Sequence, residues 1–528
     1  MMNFDRIVVR FIATLALLVF FCSIILTKGR AVGQAGRELK AARSTLSACP
    51  DVSLQSFETI DFTKISALQA HGIRGLPCDA LAENKKFDAR SLQHGFDYYS
   101  WLTFLALNSP ASGAPIGADA PTVWETYKQL PDVMRAKGEP PENWIESQTD
   151  PLVGANRQLP LAGCPDAEGK MVIHMNMEET YNQPFKSGPL FDQNGNYAVF
   201  VIFMNQTMFE YIAQNTLFNR EGQEAFPKRQ KALHKDPEVD FPSGDIGKGI
   251  VGSIMIKASW KLMSESDLAK RNYHVIDGLL YRAPTSCIPI KLGLVGFHVG
   301  HKTDSRQQWI WTTFEHKDNA PTEQEVKAGI PEGQKYNFYD PLCHTCSVNQ
   351  TPDGSWDPDA RKWDLSHPSK FKSQIVRTGI HTSFNDGGLT TLEDDVKTLN
   401  DKFHKSPQIA GTVWANYNLI TTQWPSSFPC ATKNDPGNLP DPTCTPFPPF
   451  LANSTLETFS QPLQEAEAGK NDPDLPLATS SCISCHNNAT TKLPSTSKAQ
   501  VMRSDFTYIL EKACSTKEND TQGNCKHD

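Results

Sequence analysis

The sequence predicts an α+β protein: an antiparallel β-rich central domain flanked by helices, with a small helical segment at the C-terminal end. Three observations predict it. Between residues 171 and 314, apolar and β-branched runs of strand length recur, and the turns between them vary in length. Mixed turn lengths suit an antiparallel sheet better than a doubly wound one. Helical periodicity lies on both sides of that stretch, and 37 prolines and 33 glycines divide the rest into loops.

Taken in order, residues 1–30 form a signal peptide or membrane anchor. Phe11 to Leu26 is free of charge and follows Arg6 and Arg10, the pattern of an export signal. Ala31-Val32-Gly33 offers small residues for cleavage, but Lys28 and Arg30 follow the apolar run at once. If uncut, Ile7 to Val9 extend the run towards a span. The basic residues after it (Lys28, Arg30, Arg37, Lys40 and Arg43) favour a cytoplasmic body by the positive-inside rule, whereas the cysteine chemistry below favours export. Cys22 is read as an ordinary apolar residue.

A helical N-terminal region is expected over 31–160, with His94–Leu107 a helix rich in aromatics (Phe96, Tyr98, Tyr99, Trp101, Phe104) and Pro121–Lys128 a second. The β-rich domain is expected over 161–365. Its strands are Met171–Met177, Tyr197–Met204, Ile250–Ala258, Tyr273–Leu280, Ile288–His298 and Gln308–Phe314, with Asn205–Phe218 an inserted helix. Asp192 to Asn196 resembles part of a calcium loop, but its glycine falls too early, and Asn194-Gly195 reads as a hairpin turn. Over 366–475, Pro368–Arg377 and Leu392–His404 read as helices, and Pro425–Pro476 as a long loop wrapping the surface. The last region, 476–528, carries the attachment motif described next and a helix over Ser497–Lys512. No internal repeat is visible.

Composition bounds the function. With 528 residues, 39% of them hydrophobic, the chain can bury a core and is not a disordered tail. A net charge of -8 speaks against a nucleic-acid partner. Of 13 cysteines, one lies in the apolar run and two in the motif below. The other ten are Cys49, Cys78, Cys164, Cys287, Cys343, Cys346, Cys430, Cys444, Cys514 and Cys525. An even remainder in an exported chain reads as disulfides. Close spacing favours Cys430–Cys444 and Cys514–Cys525, then Cys49–Cys78. Cys343-x-x-Cys346 lacks a following histidine; it reads as part of the disulfide set, with a redox dithiol or half a zinc site left open.

Residues 482 to 486 read Cys-Ile-Ser-Cys-His, the attachment sequence for one haem c. Two thiols three positions apart can reach the vinyl-derived carbons of one porphyrin, and His486 then points at the iron as proximal ligand. With 13 Cys and 14 His in 528 residues, chance would produce this pattern about 0.01 times per chain.

The sixth iron ligand decides between a carrier and an enzyme. Met502, the methionine that follows the motif, is the candidate distal ligand. His298, His301 and His316, on the strand-like runs Gly293–His301 and Gln308–His316, are the competing set. Arg377 and His381, four apart, would form a peroxidase-like pair if that stretch were helical.

By Cys482-Ile483-Ser484-Cys485-His486 the chain resembles the bacterial c-type cytochromes. More loosely, with its Trp-rich run Gln308 to Asn319, it is similar to large exported cytochrome-c-like proteins that carry one late haem motif. The resemblance implies haem on Cys482 and Cys485, iron on His486, and an electron-transfer or oxidoreductase role. The expected site is the periplasm or cell envelope. The expected partners are a redox protein or small-molecule electron donor or acceptor, and the inner membrane if residues 1–30 stay attached. A haem-dependent peroxidase or oxygenase, and a disulfide-rich envelope binding protein, are the alternatives.

Overall fold

In the computed structural model the described residues are 89–145, 164, 170–175, 177–184, 187–245, 250–282, 286–303, 306–352, 356–357, 362–363, 371–378, 392–425, 446–449, 451–461, 481–517 and 525. The expected leader at 1–30, Cys49 and Cys78, Cys430 and Cys444, and His381 lie outside them. All described residues belong to one unit, Val52–Asp528.

The elements run in this order. Helix α1 is Ala89–Asn108, strand β1 Lys128–Gln129, helix α2 Leu130–Val133, and strands β2 and β3 Met171–His174 and Val199–Met204. Helices α3 and α4 are Gln206–Gln214 and Arg220–Ala232. A small pair follows, β4 Gly244–Asp245 and β5 Ile250–Val251, then β6 Ile254–Leu262 and α5 Glu265–Lys270. Strands β7, β8 and β9 are Val275–Arg282, Ser286–Thr303 and Arg306–His316, and α6 is Glu323–Ala328. A second small pair is β10 Trp356–Asp357 and β11 Lys362–Trp363, followed by α7 Leu392–His404, β12 Tyr417–Pro425, β13 Pro446–Phe447 and α8 Cys482–His486.

The fold is α+β, as the sequence predicts. Nine strands form one sheet in the order β1-β3-β6-β8-β9-β12-β13, with β7 on the other part of β8 and β2 beside β7. Every pair in the sheet is antiparallel except β2 with β7. Strand β8 organises it, since its length lets it pair with β7, β6 and β9.

Side chains alternate across a strand, so the sheet has two working faces. Phe297, Val299 and Phe314 enter one cluster with Tyr98, Trp101 and Phe104 of α1 and Leu392, Val396, Leu399 and Phe403 of α7. The α7 set is spaced as one helical stripe. Trp101 stacks on Phe403 with centroids 4.7 Å apart, and Phe104 on Phe314 at 4.1 Å. The other face presents Met255, Trp309 and Trp311 to α3, α4 and the C-terminal segment, through Met208, Phe209, Phe226, Ile483, Ile509 and Leu510.

Several expectations are corrected. Pro121–Lys128 is a single 3-10 turn, Trp124–Thr126, leading into β1. The described part of Pro368–Arg377 is not helical, and Arg377 forms a single bridge with Thr322. Ser497–Lys512 is not a continuous helix: Arg503 pairs back with Thr490, Asp505 and Phe506 are left-handed, and only Tyr508–Lys512 coils, as a 3-10 turn. Side-chain hydroxyls there compete with helix formation, as Ser504 Oγ donates to Thr507 O and Thr507 accepts from Ile509 N. Within Pro425–Pro476, residues 451–461 are mostly buried, with only Glu457 and Phe459 half-buried, and do not form a surface loop. Asn453 holds them on the sheet through Thr313 Oγ1 and Phe314 O, both at 2.9 Å. Asn194-Gly195 does turn the chain, between Phe191 and Tyr197, with Gly195 at φ 79°.

Candidate haem-attachment site

Three disulfides join the six other described cysteines: Cys164–Cys287, Cys343–Cys346 and Cys514–Cys525. The last is a pair expected from close spacing. Cys164 and Cys287 are 123 positions apart and meet in a small cluster with Val172 of β2 and Leu279 and Tyr281 of β7, Tyr281 facing Cys287 across the ladder. Cys343 and Cys346 bond each other, which removes them as zinc ligands.

Cys482 and Cys485 are thiols. They lie on α8, one turn that Ser481 caps by accepting from Ser484 N. The helix packs on β9 and β12. Gln423 of β12 ties it down: its Oε1 accepts from Ile483 N at 2.9 Å and from Ser481 Oγ at 3.3 Å, while its Nε2 donates to Pro448 O at 2.8 Å. Burial pushes both thiols up, Cys485 to about 11 and Cys482 well above the ordinary range, and the Glu457 carboxylate adds to it. A redox-active dithiol needs the opposite shift.

His486 is set by three neighbours. Its Nδ1 donates to Phe506 O at 2.9 Å, because a carbonyl can only accept. The tautomer is thereby assigned, and Nε2 keeps its lone pair. Its ring lies 4.3 Å from the Trp311 ring and 5.3 Å from Tyr508, whose hydroxyl donates to Cys485 O at 2.7 Å. Burial lowers the imidazole to about 4, against the pull of the Phe506 carbonyl, so it stays neutral at pH 7. Two thiols on one turn, a neutral imidazole with its remote nitrogen held by a carbonyl, and an apolar wall of Ile483, Trp311 and Ile509 are the donor set a covalently held haem c needs.

The structure separates the candidate distal ligands. His301 lies on the opposite face of the sheet, where its Nδ1 meets Tyr99 Oη of α1. His316 has both nitrogens committed: Nε2 donates to Asn272 O at 3.0 Å and Nδ1 accepts from Asp318 N at 3.1 Å. His298 points to the same face as Trp311. It pairs Nε2 with Glu457 Oε2 at 2.9 Å, and Asn453 N donates to that carboxylate at 3.0 Å. Burial works against the Glu457 charge, but His298 and Lys257 outweigh it and hold the carboxyl below its usual range. Met502 sits in a non-helical stretch, with its amide donating to Thr491 Oγ1 at 3.0 Å, and its side chain packs at the edge of the Ile483 cluster.

Arg377 is not on a helix, since 371–378 is not helical, and its Nε donates to the fully buried Glu315 at 2.9 Å, while His381 lies outside the described residues. Sequence reasoning missed Gln423, Glu457, Lys302 and Asp505. The β12 run Tyr-Asn-Leu-Ile-Thr-Thr-Gln-Trp-Pro has the composition of a strand and would have drawn attention to Gln423. Among the described residues no group of three or more His, Cys, Asp or Glu forms a ready metal-ion site, and no helix is long and apolar enough to cross a membrane. No family model, curated protein or solved structure matches the chain.

Proposed function

We propose that the chain is an exported monohaem c-type cytochrome of the cell envelope. Cys482 and Cys485 hold the haem through thioethers, His486 ligates the iron through Nε2, and the protein passes electrons to a redox partner or small molecule. The observation that carries this is the hydrogen bond from His486 Nδ1 to Phe506 O, one residue from a thiol and on the same short turn as both. That bond makes the imidazole a better metal donor at the other nitrogen. When bound, haem supplies one-electron chemistry and, with an exchangeable sixth position, small-ligand chemistry. The three disulfides support export, since such bonds persist in oxidising compartments. Residues 1–30 then serve as leader or inner-membrane anchor.

Met502 is the candidate sixth ligand in this reading. A second reading, a haem-dependent oxidoreductase, is favoured by one observation: His298 and Glu457 form a polar pair on the sheet face that carries the motif. Such a pair suits proton transfer.

The experiment is an absorption spectrum of protein made with the haem attachment machinery, oxidised, reduced, and reduced under carbon monoxide. A sharp reduced α-band unmoved by carbon monoxide is expected, with Met502→Ala becoming reactive to it. A carbon monoxide shift in the unaltered protein would replace the carrier reading with the enzyme. A colourless protein would leave only a disulfide-rich envelope binding protein. Cys482→Ala with Cys485→Ala should abolish haem staining on a denaturing gel.

A further inference from the structure

The carbonyl that orients His486 is presented by an unusual backbone. Asp505 and Phe506 both adopt left-handed conformations, with φ 50° and 62°. Residues with a Cβ avoid that region, so two in succession persist only where their surroundings impose them. Asp505 supplies the restraint. Its Oδ2 accepts from Phe241 N at 2.7 Å and from Lys302 Nζ at 2.5 Å. Lys302 stands on β8 with its side chain 1% exposed, and its ammonium also donates to Asp240 Oδ1 at 2.6 Å. The turn is closed on its other side by Ser504 N donating to Ala489 O at 3.1 Å, three residues after His486. A chain of direct contacts therefore runs from the centre of the sheet through Lys302 and Asp505 to the Phe506 carbonyl and the His486 ring.

We propose that Asp505 and Lys302 are the positioning pair for the iron-ligating histidine, holding the Phe506 carbonyl on Nδ1 and thereby setting the haem reduction potential. The inference rests on the haem reading above. A carbonyl held firmly on Nδ1–H raises imidazole basicity and favours the ferric iron. Releasing it lowers basicity and raises the potential.

The test separates positioning from plain charge. Asp505→Asn removes a negative group and Lys302→Met a positive one, so charge alone would move the potential in opposite directions. Loss of positioning raises it in both. The measurement is a redox titration of haem-loaded Asp505→Asn and Lys302→Met proteins beside the unaltered one. Both variants are expected to favour the ferrous state about tenfold more, about 59 mV for one electron. Opposite shifts, or no shift in either, would overturn the proposal while leaving the haem reading intact. A protein that carries no haem before any substitution would overturn both. If Lys302→Met does not fold, solvent exchange of the His486 Nδ1 proton, read by NMR in Asp505→Asn, decides the question: faster exchange supports positioning and an unchanged rate refutes it.

Discussion

Lys261 and Asp267 show how a charge is kept inside this protein. Their side chains are 3% and 7% exposed, and Nζ lies 3.0 Å from Oδ2. Two buried charges survive only when paired and hydrogen-bonded. Here Lys261 also donates to Asn337 Oδ1 at 3.0 Å, and Asp267 closes a capping box with Ser264 at the start of α5. Burial alone would push the Asp267 carboxyl up, but Lys261 and Ser264 prevail and hold it below the ordinary value. A depressed carboxylate contributes stability above its unfolded pKa of about 3.9 and loses it as pH falls through the lower folded value. Asp267→Asn should therefore cost about 3 kcal/mol at pH 7. The difference from the unaltered protein should start to close below about pH 3.9 and keep closing on further acidification. Urea unfolding at pH 7 and pH 3 measures it, and a pH-independent difference would contradict the assignment. At this scale the Cys482-x-x-Cys485-His486 motif could be read because its spacing is local in sequence, and the structure puts its three residues on one short turn. Glu457, Lys302 and Asp505 could not, because each matters through a partner more than a hundred positions away.

Elements explain the rest of what the sequence did and did not disclose. Helix α7 has the bounds expected of it, Leu392–His404, since its apolar stripe and its acidic first turn both read locally. The predicted helix over Ser497–Lys512 failed for the converse reason. Met502, Phe506, Ile509 and Leu510 join the Trp311 cluster from turns while Val501 stays exposed, and tertiary hydrogen bonds override their helical spacing. Strand β12 matters most for the site, because Gln423 joins it to α8. Replacing Gln423 with Leu removes the acceptor of the Ile483 amide and of Ser481 Oγ. Leaving such groups without partners costs about 1–3 kcal/mol. The expected outcome is a loss of that order in unfolding free energy, with amide exchange at Ile483 faster than at Leu419 further along the strand. Equal protection at the two amides in Gln423→Leu would show that α8 is held by something else.

At the scale of the molecule, one sheet carries an aromatic helical layer on one face and the haem-motif segment on the other, and disulfides constrain both chain distance and local order. Cys164–Cys287 spans 123 positions, and Cys514–Cys525 spans 11. By the chain-entropy model the long loop stabilises the fold by about 5 kcal/mol and the short one by about 3. Their local effects differ more. Cys514 adjoins the 3-10 turn Tyr508–Lys512 and pairs beside Asn219, while Arg220 Nε donates to Ala513 O at 3.0 Å. The short disulfide thus ends the segment whose start is α8. Opening it should lower the cost of local unfolding there. Cys164→Ser with Cys287→Ser is expected to lower global stability more, by about 5 kcal/mol, without changing relative protection near His486. Cys514→Ser with Cys525→Ser is expected to lower it by about 3 kcal/mol and to speed amide exchange selectively over 504–513. Hydrogen exchange on both double variants reads the two effects at once. Uniform acceleration across the sheet in the second variant would mean that the segment unfolds only with the whole protein, and that its hold on the Phe506 carbonyl does not depend on this bond.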